Sequence, residues 1–261
     1  MSNPYVAHNR LPFNFLDGLE VKGIDLSGPV GSSGVGHTAL NGTPTNLGTV
    51  VSAIEYAISE IQYVNPSVTS LLINGSSALT SEKGVSIASI NLTWTLSGSV
   101  PNTQSINNGV GTVPVGTLIK AVTGPFTSNL TYTLTVTDTN PAGATVTATR
   151  SSTMSFIQKR HWGVSTLTSL DSAGILSLSG SELSTSRAKT VVYNAEGGRY
   201  IYYAYPESYG ALSGVTVNNL SFSDYSVSII SHTNASGFTE NYRVIRFNNI
   251  QNGTAISVVW S

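Results

Sequence analysis

Two stretches in the middle of the chain alternate apolar and polar residues with a period of two. Ile90, Leu92, Trp94 and Leu96 are interleaved with Asn91, Thr93 and Thr95. Leu130, Tyr132, Leu134 and Val136 are interleaved with Thr131, Thr133, Thr135 and Thr137. Such a rhythm predicts strands with one face on a core and one in water, the arrangement of antiparallel sheets. Shorter strands are predicted at 68–73, 85–89, 117–123, 144–149 and 153–157. Asn74-Gly75, Asn108-Gly109, Gly124-Pro125 and Asn140-Pro141 supply turns between them. This spacing predicts an immunoglobulin-like β-sandwich over 64–160, with Trp94 as its central core aromatic.

A second series of strands is predicted at 164–170, 174–179, 189–193, 199–205, 214–217, 225–230, 241–247 and 255–260. In Tyr200-Ile201-Tyr202-Tyr203-Ala204-Tyr205 aromatics point to both faces. Turns fall at Asn218-Asn219, Asn234–Gly237 and Asn252-Gly253. Residues 161–261 therefore read as a further antiparallel sandwich. The first 63 residues differ. Residues 27–46 are rich in Gly, Ser, Thr and Pro and predict no regular core. Val50, Val51, Ile54, Ala57, Ile58 and Ile61 then recur at helical spacing over 47–62, with Asn46 as cap and Asn65-Pro66 as stop. Val50, Ile54, Ala57 and Ile61 fall close to an a/d stripe. That stripe fits either self-association or packing on the chain's own sheet. The expected fold is all-β: two antiparallel β-sandwich domains preceded by an extended N-terminal segment (1–63) and one short helix.

Composition fits this pattern. Ser 38, Thr 30, Asn 21 and Gly 25 make up 114 of the 261 residues, a strand-and-turn vocabulary with a hydroxyl-rich surface. Only 10% of residues are charged and the net charge is −1, so little draws the chain to nucleic acid or an anionic membrane. No apolar run approaches the roughly 20 residues of a membrane span, and no signal peptide is visible. There is no Cys, hence no disulfide, thiolate metal site or thiol nucleophile.

The chemistry-bearing residues form no motif. The thirteen carboxylates are scattered, with no pair marked for glycoside cleavage. His8, His37, His161 and His232 form no metal-binding helix pair, and each is expected as an exposed or hydrogen-bonded loop residue. Gly31–Thr38 matches a phosphate-binding loop except that His37 stands where the Lys is required. It therefore reads as a polar loop. No catalytic, cofactor-binding or metal-binding residue is assigned, and no enzyme activity is expected. Exposed aromatics can stack on sugar rings. Tyr209 and Phe238 are the candidate glycan contacts if the chain is a carbohydrate-binding module.

Several phrases resemble structural proteins of tailed-bacteriophage virions, of tail-fibre, baseplate or head-appendage type. They are Glu82-Lys83-Gly84 with Ile90–Thr95, Gln104–Gly109, Leu130–Val136, and the closing Ser155-Phe156-Ile157-Gln158-Lys159-Arg160-His161-Trp162-Gly163. Tyr200–Pro206 with Gly210, and Asn234, Gly237 and Asn241–Arg246, continue the likeness over roughly 47–261. His161 departs from the group's Tyr in the closing phrase, and Gln158-Lys159-Arg160 replaces its Asn-Lys pair. The resemblance implies a virion structural protein, assembled in the host cytoplasm and carrying no catalytic residues. A tail or tail-fibre location is the first expectation, with head fibre or capsid decoration as the alternative. Other virion proteins would be its partners, with self-assembly (a trimer favoured) and host surface polysaccharide as a further contact.

Overall fold

A computed structural model describes residues 62–261 and the backbone of two short strands, β1 (Glu20–Val21) and β2 (Ile24–Asp25), which pair antiparallel. Val50, Ile54, Ala57 and Ile61, the loop at 31–38, His8 and His37 lie outside the described residues.

The described residues are almost entirely β. β3 (Ser67–Ile73), β4 (Ala78–Glu82), β5 (Ile87–Ser97), β6 (Thr103–Ile106) and β7 (Gly111–Val113) come first. β8 (Ile119–Phe126), β9 (Leu130–Thr139) and β10 (Thr145–Ile157) follow. The C-terminal part holds β11 (Lys159–Ser165), a short helix α1 (Ser172–Leu176), β12 (Gly180–Leu183), β13 (Lys189–Tyr193) and β14 (Tyr200–Pro206). After a single 3-10 turn at Glu207–Tyr209 come β15 (Val215–Val217), β16 (Leu220–Ser221), β17 (Tyr225–Thr233), β18 (Thr239–Phe247) and β19 (Ile256–Trp260). The described residues form two compact units that interleave in sequence. One holds 62–69, 95–117 and 134–150; the other holds 70–94, 118–133 and 151–261.

In the first unit β6 pairs with β7 and with the second half of β9, so that Gln104 lies opposite both Val113 and Val136. Its side chain is fully buried and donates to the Pro114 carbonyl at 3.0 Å. That bond offsets the cost of enclosing an amide among Ile106, Val113 and Leu134. The β6–β7 turn is Asn108-Gly109, both at positive φ (54° and 79°), which a two-residue hairpin loop requires.

In the second unit the alternating stretch works as predicted. Ile90, Leu92 and Trp94 are buried on one face of β5, which pairs antiparallel with β8. β4 pairs with β10 in parallel, Ala78 opposite Thr153 and Glu82 opposite Ile157. This corrects the expectation of wholly antiparallel sheets. The rest of the module intervenes between the two strands and supplies the crossover that parallel pairing needs.

The C-terminal sandwich has two sheets, in the orders β12-β11-β14-β18-β17 and β13-β19-β15-β16. β14 is central to the first and buried over most of its length, which explains its aromatics on both faces. Ile201, Tyr203 and Tyr205 point into the core between the sheets, with Ile245, Phe247, Val258 and Trp260. Tyr203 stacks on Trp260 at 4.8 Å between centroids. Each buried phenol has an acceptor: Tyr203 donates to the Arg187 carbonyl at 2.6 Å and Tyr205 to that of Gly210 at 3.0 Å. On the opposite face Tyr202, Ala204, Tyr242 and Val244 are covered by Leu170, Ile175 and Leu178 from a strap that contains α1.

Four further expectations change. The strand predicted at 174–179 is instead α1 and the turn after it, because Asp171 Oδ1 accepts the Gly174 amide at 2.7 Å and caps a helix start. The strand predicted at 164–170 is displaced to β11, at 159–165. The two strands predicted at 144–149 and 153–157 are one, β10. Gly124-Pro125, read as a turn, lies inside β8.

Candidate functional site

All the groups described in this section belong to the second compact unit. The loop after β17 is organised by one side chain. Asn234 is buried, and its Oδ1 accepts from the amides of Ser236 and Phe238, each at 3.0 Å. Its Nδ2 donates to the Lys83 carbonyl at 2.7 Å and to Gln158 Oε1 at 3.3 Å. The loop is thereby fixed to the turn after β4. Gly84 in that turn has φ +90°, and a Cβ there would meet the Phe238 Cβ at 2.8 Å. Glycine is required twice over, for the backbone conformation and for the close approach.

Phe238 therefore stands, half-buried, on the wall of an open cleft of about 610 Å³ lined also by Lys83, Thr127, Ser128, Asn129 and Phe156. The Lys83 ammonium is 5.4 Å from the ring centroid and 3.2 Å from Glu240 Oε2. Asn129 Oδ1 accepts the Phe156 amide at 2.6 Å, which fixes the orientation of its side-chain amide. The cleft thus combines an aromatic wall, one oriented side-chain amide, hydroxyls and one cation.

Tyr209 lies elsewhere. It lines a separate hollow of about 430 Å³ with Thr185, Arg187, Ser208 and Ser261. Its hydroxyl donates to the Ser184 carbonyl at 2.6 Å and its carbonyl accepts from Arg187 at 2.9 Å. Burial raises its phenol pKa above the ordinary tyrosine value. The structure does not bring the two predicted glycan residues to one place.

His161 and His232 are not the exposed or loop residues expected. Both lie on strands, 3% and 1% exposed, with ring centroids 5.5 Å apart. Sequence reading missed them because their burial comes from remote packing, and β17 is largely exposed along its length. Burial, with the neighbouring His232 imidazole (which competes for charge) and the Lys159 ammonium, pulls the His161 pKa down to about 4. Burial also lowers that of His232, against the opposing influence of Glu82 and Glu240. Both rings are therefore neutral at pH 7.

Ser172 Oγ is 3.1 Å from His232 Nδ1, a contact with the look of a nucleophile and its base. The remaining geometry is that of a structural tie. The hydroxyl also accepts the Thr233 amide at 2.9 Å and donates to the Thr233 carbonyl at 3.2 Å. His232 Nε2 has no hydrogen-bond partner and so no orienting carboxylate. Among the described residues no group of three or more His, Cys, Asp and Glu side chains is arranged to hold a metal ion. No helix among them is long and apolar enough to cross a membrane.

No protein-family model matches the chain, and no curated protein matches it. Among solved structures the chain is similar to the N-terminal eight immunoglobulin domains of Down syndrome cell adhesion molecule. The identity is 10% and the TM-score 0.25, over 71% of this chain and 23% of that one.

Proposed function

We propose that the chain is a non-enzymatic structural component of a tailed-phage virion, a tail or tail-fibre protein that docks through its N-terminal segment. The observation that carries this reading is where the phage-like phrases fall. Tyr200–Pro206 is the buried central strand of the C-terminal sheet. The closing phrase Ser155–Gly163 spans the end of β10 and the start of β11. There Gly163 approaches the Ser179 amide so closely that a Cβ would stand 2.8 Å from it. Asn234 fixes the loop that carries Phe238. The residues of these phrases thus set local shape rather than line a reactive site, which supports a role in which shape is the function.

Mass spectrometry and gold-labelled antibody on purified particles test the reading. The expected result is a stoichiometric band and label at the tail; label on the head would move the protein to head fibre or capsid decoration. Absence from washed particles would defeat the proposal. Sedimentation equilibrium of the full chain, with a trimer expected, tests the proposed self-association.

The cleft beside Phe238 supports a second reading, contact with host surface polysaccharide. A half-buried ring edged by amide, hydroxyl and ammonium donors suits a sugar's apolar face and its hydroxyl rim. Titration of host polysaccharide fragments should shift resonances of Lys83, Asn129 and Phe238, and Phe238→Ala should weaken binding about tenfold or more. Equal binding by that variant removes the assignment.

A further inference from the structure

One end of the strap-covered face of the C-terminal sheet is closed by polar groups rather than aliphatic ones. His161 on β11 and His232 on β17 sit there edge to face, and the Tyr242 ring on β18 lies 4.4 Å from His232 and 6.1 Å from His161. Both nitrogens of His161 and Nε2 of His232 are buried with no hydrogen-bond partner. The remaining nitrogen, His232 Nδ1, meets Ser172 Oγ. Ser172 is the first residue of α1, so the pair reaches, through His232, the strap whose Leu170, Ile175 and Leu178 cover Tyr202, Ala204 and Val244.

We propose that the His161–His232 pair is an acid-released fastener for the strap of residues 170–178. Neutral imidazoles hold the strap on the sheet; a proton gained by the pair frees it and uncovers the apolar face beneath. This inference stands independently of the virion reading.

The surroundings decide which ring resists charge. Glu240 on β18 is the cross-strand neighbour of His232, with Oε2 on Lys83 and Oε1 buried without a partner. Glu82 on β4 is held by Lys159 at 2.9 Å. These two carboxylates favour a charged His232. His161 is faced by His232 and by Lys159 of its own strand, both of like charge. The phenol of Tyr242 donates to the Lys159 carbonyl at 2.7 Å, and that of Tyr202 to the Leu167 carbonyl at 2.7 Å. Asp171 in the strap is occupied as the cap of Gly174, and Tyr209 by the Ser184 carbonyl. His161 is therefore the ring whose protonation has no compensating neighbour.

The sign follows from linkage. The folded pKa of His161, about 4, lies below the ordinary 6.5. The stability it contributes is complete above about 6.5 and is lost as pH falls toward 4. Within that window each such imidazole shifts the closed-to-open equilibrium about tenfold per pH unit.

Amide hydrogen exchange on the full chain at about pH 7 and pH 5, corrected for intrinsic rates, tests the fastener. Protection of the Ile175, Ser177 and Leu178 amides, which donate within the strap, should fall about tenfold or more at the lower pH. Amides of β19 should fall less. His161→Phe should remove most of the strap's pH dependence. Imidazole NMR shifts of the unsubstituted chain give a measurement that does not depend on the variant folding, and the His161 ring should still be neutral at about pH 6. Strap protection that follows β19 at both pH values, or a His161 ring titrating at the ordinary value, overturns the proposal.

Discussion

At Asn234 four hydrogen bonds converge on one buried amide, two to each end. Alanine there would leave the Lys83 carbonyl and the Ser236 and Phe238 amides short of partners. Asn234→Ala should therefore cost about 2–3 kcal/mol in urea denaturation. Asn234→Asp should cost at least as much, because a carboxylate cannot donate and is expensive to bury. Gly180 presents a steric case. A Cβ at that position would land inside the Trp162 indole, whose other neighbours include the Lys189 ammonium 4.1 Å from the ring centroid. Gly180→Ala should destabilise by about 1–3 kcal/mol and shift tryptophan emission. Sequence reading reached Asn234 as a turn residue and Trp94 as a core residue, since both follow from local pattern. It could not reach the Asn234–Gln158 bond, which spans 76 residues. Nor could it reach the burial of the two histidines, which remote elements bring about.

Elements were legible where one face alternates cleanly, as in β5 and β9. They were misread where the pattern was short or both faces were alike. Ile175, Leu176 and Leu178 sit among serines in a way that suggests a strand. Ile175 and Leu178 instead lie on one side of a short helix and the turn after it, and both are buried. Asp171→Ala should remove the cap of α1 and cost about 1 kcal/mol, measured by thermal denaturation. The sequence pattern divides β10 because Arg150, Ser151 and Ser152 interrupt its apolar rhythm, but the strand is continuous, with Arg150 and Ser151 exposed and Ser152 buried. The outer face of β9 and β10 carries hydroxyl pairs, Thr131 with Thr153 at 3.1 Å and Thr133 with Ser151 at 2.9 Å. These exposed pairs exchange with water at little net gain, so Thr133→Val should change stability by less than about 0.5 kcal/mol.

Across the described residues, charge contributes little and burial contributes most. The described ion pairs are mostly partly exposed, the central one being Glu182 shared by Arg160 and Lys189. The hydrogen bond from Lys189, assisted by that from Arg160, holds the Glu182 carboxyl below its ordinary pKa. Such pairs are screened by salt and weak at the surface. Raising sodium chloride to about 0.5 M should therefore move the melting temperature by no more than about 2 °C, as scanning calorimetry would record. The parallel pairing of β4 with β10 has a different kind of consequence. The bond from the Ser152 hydroxyl to the Ser77 carbonyl, beside the start of that pairing, spans 75 residues. On the ribosome β4 is made long before the strand that will lie against it there. Until β10 emerges, that edge is open to any stray strand from a neighbouring nascent chain, and closing so large a loop is slow. Yield during synthesis would then hinge on how quickly translation carries the chain past Ile157.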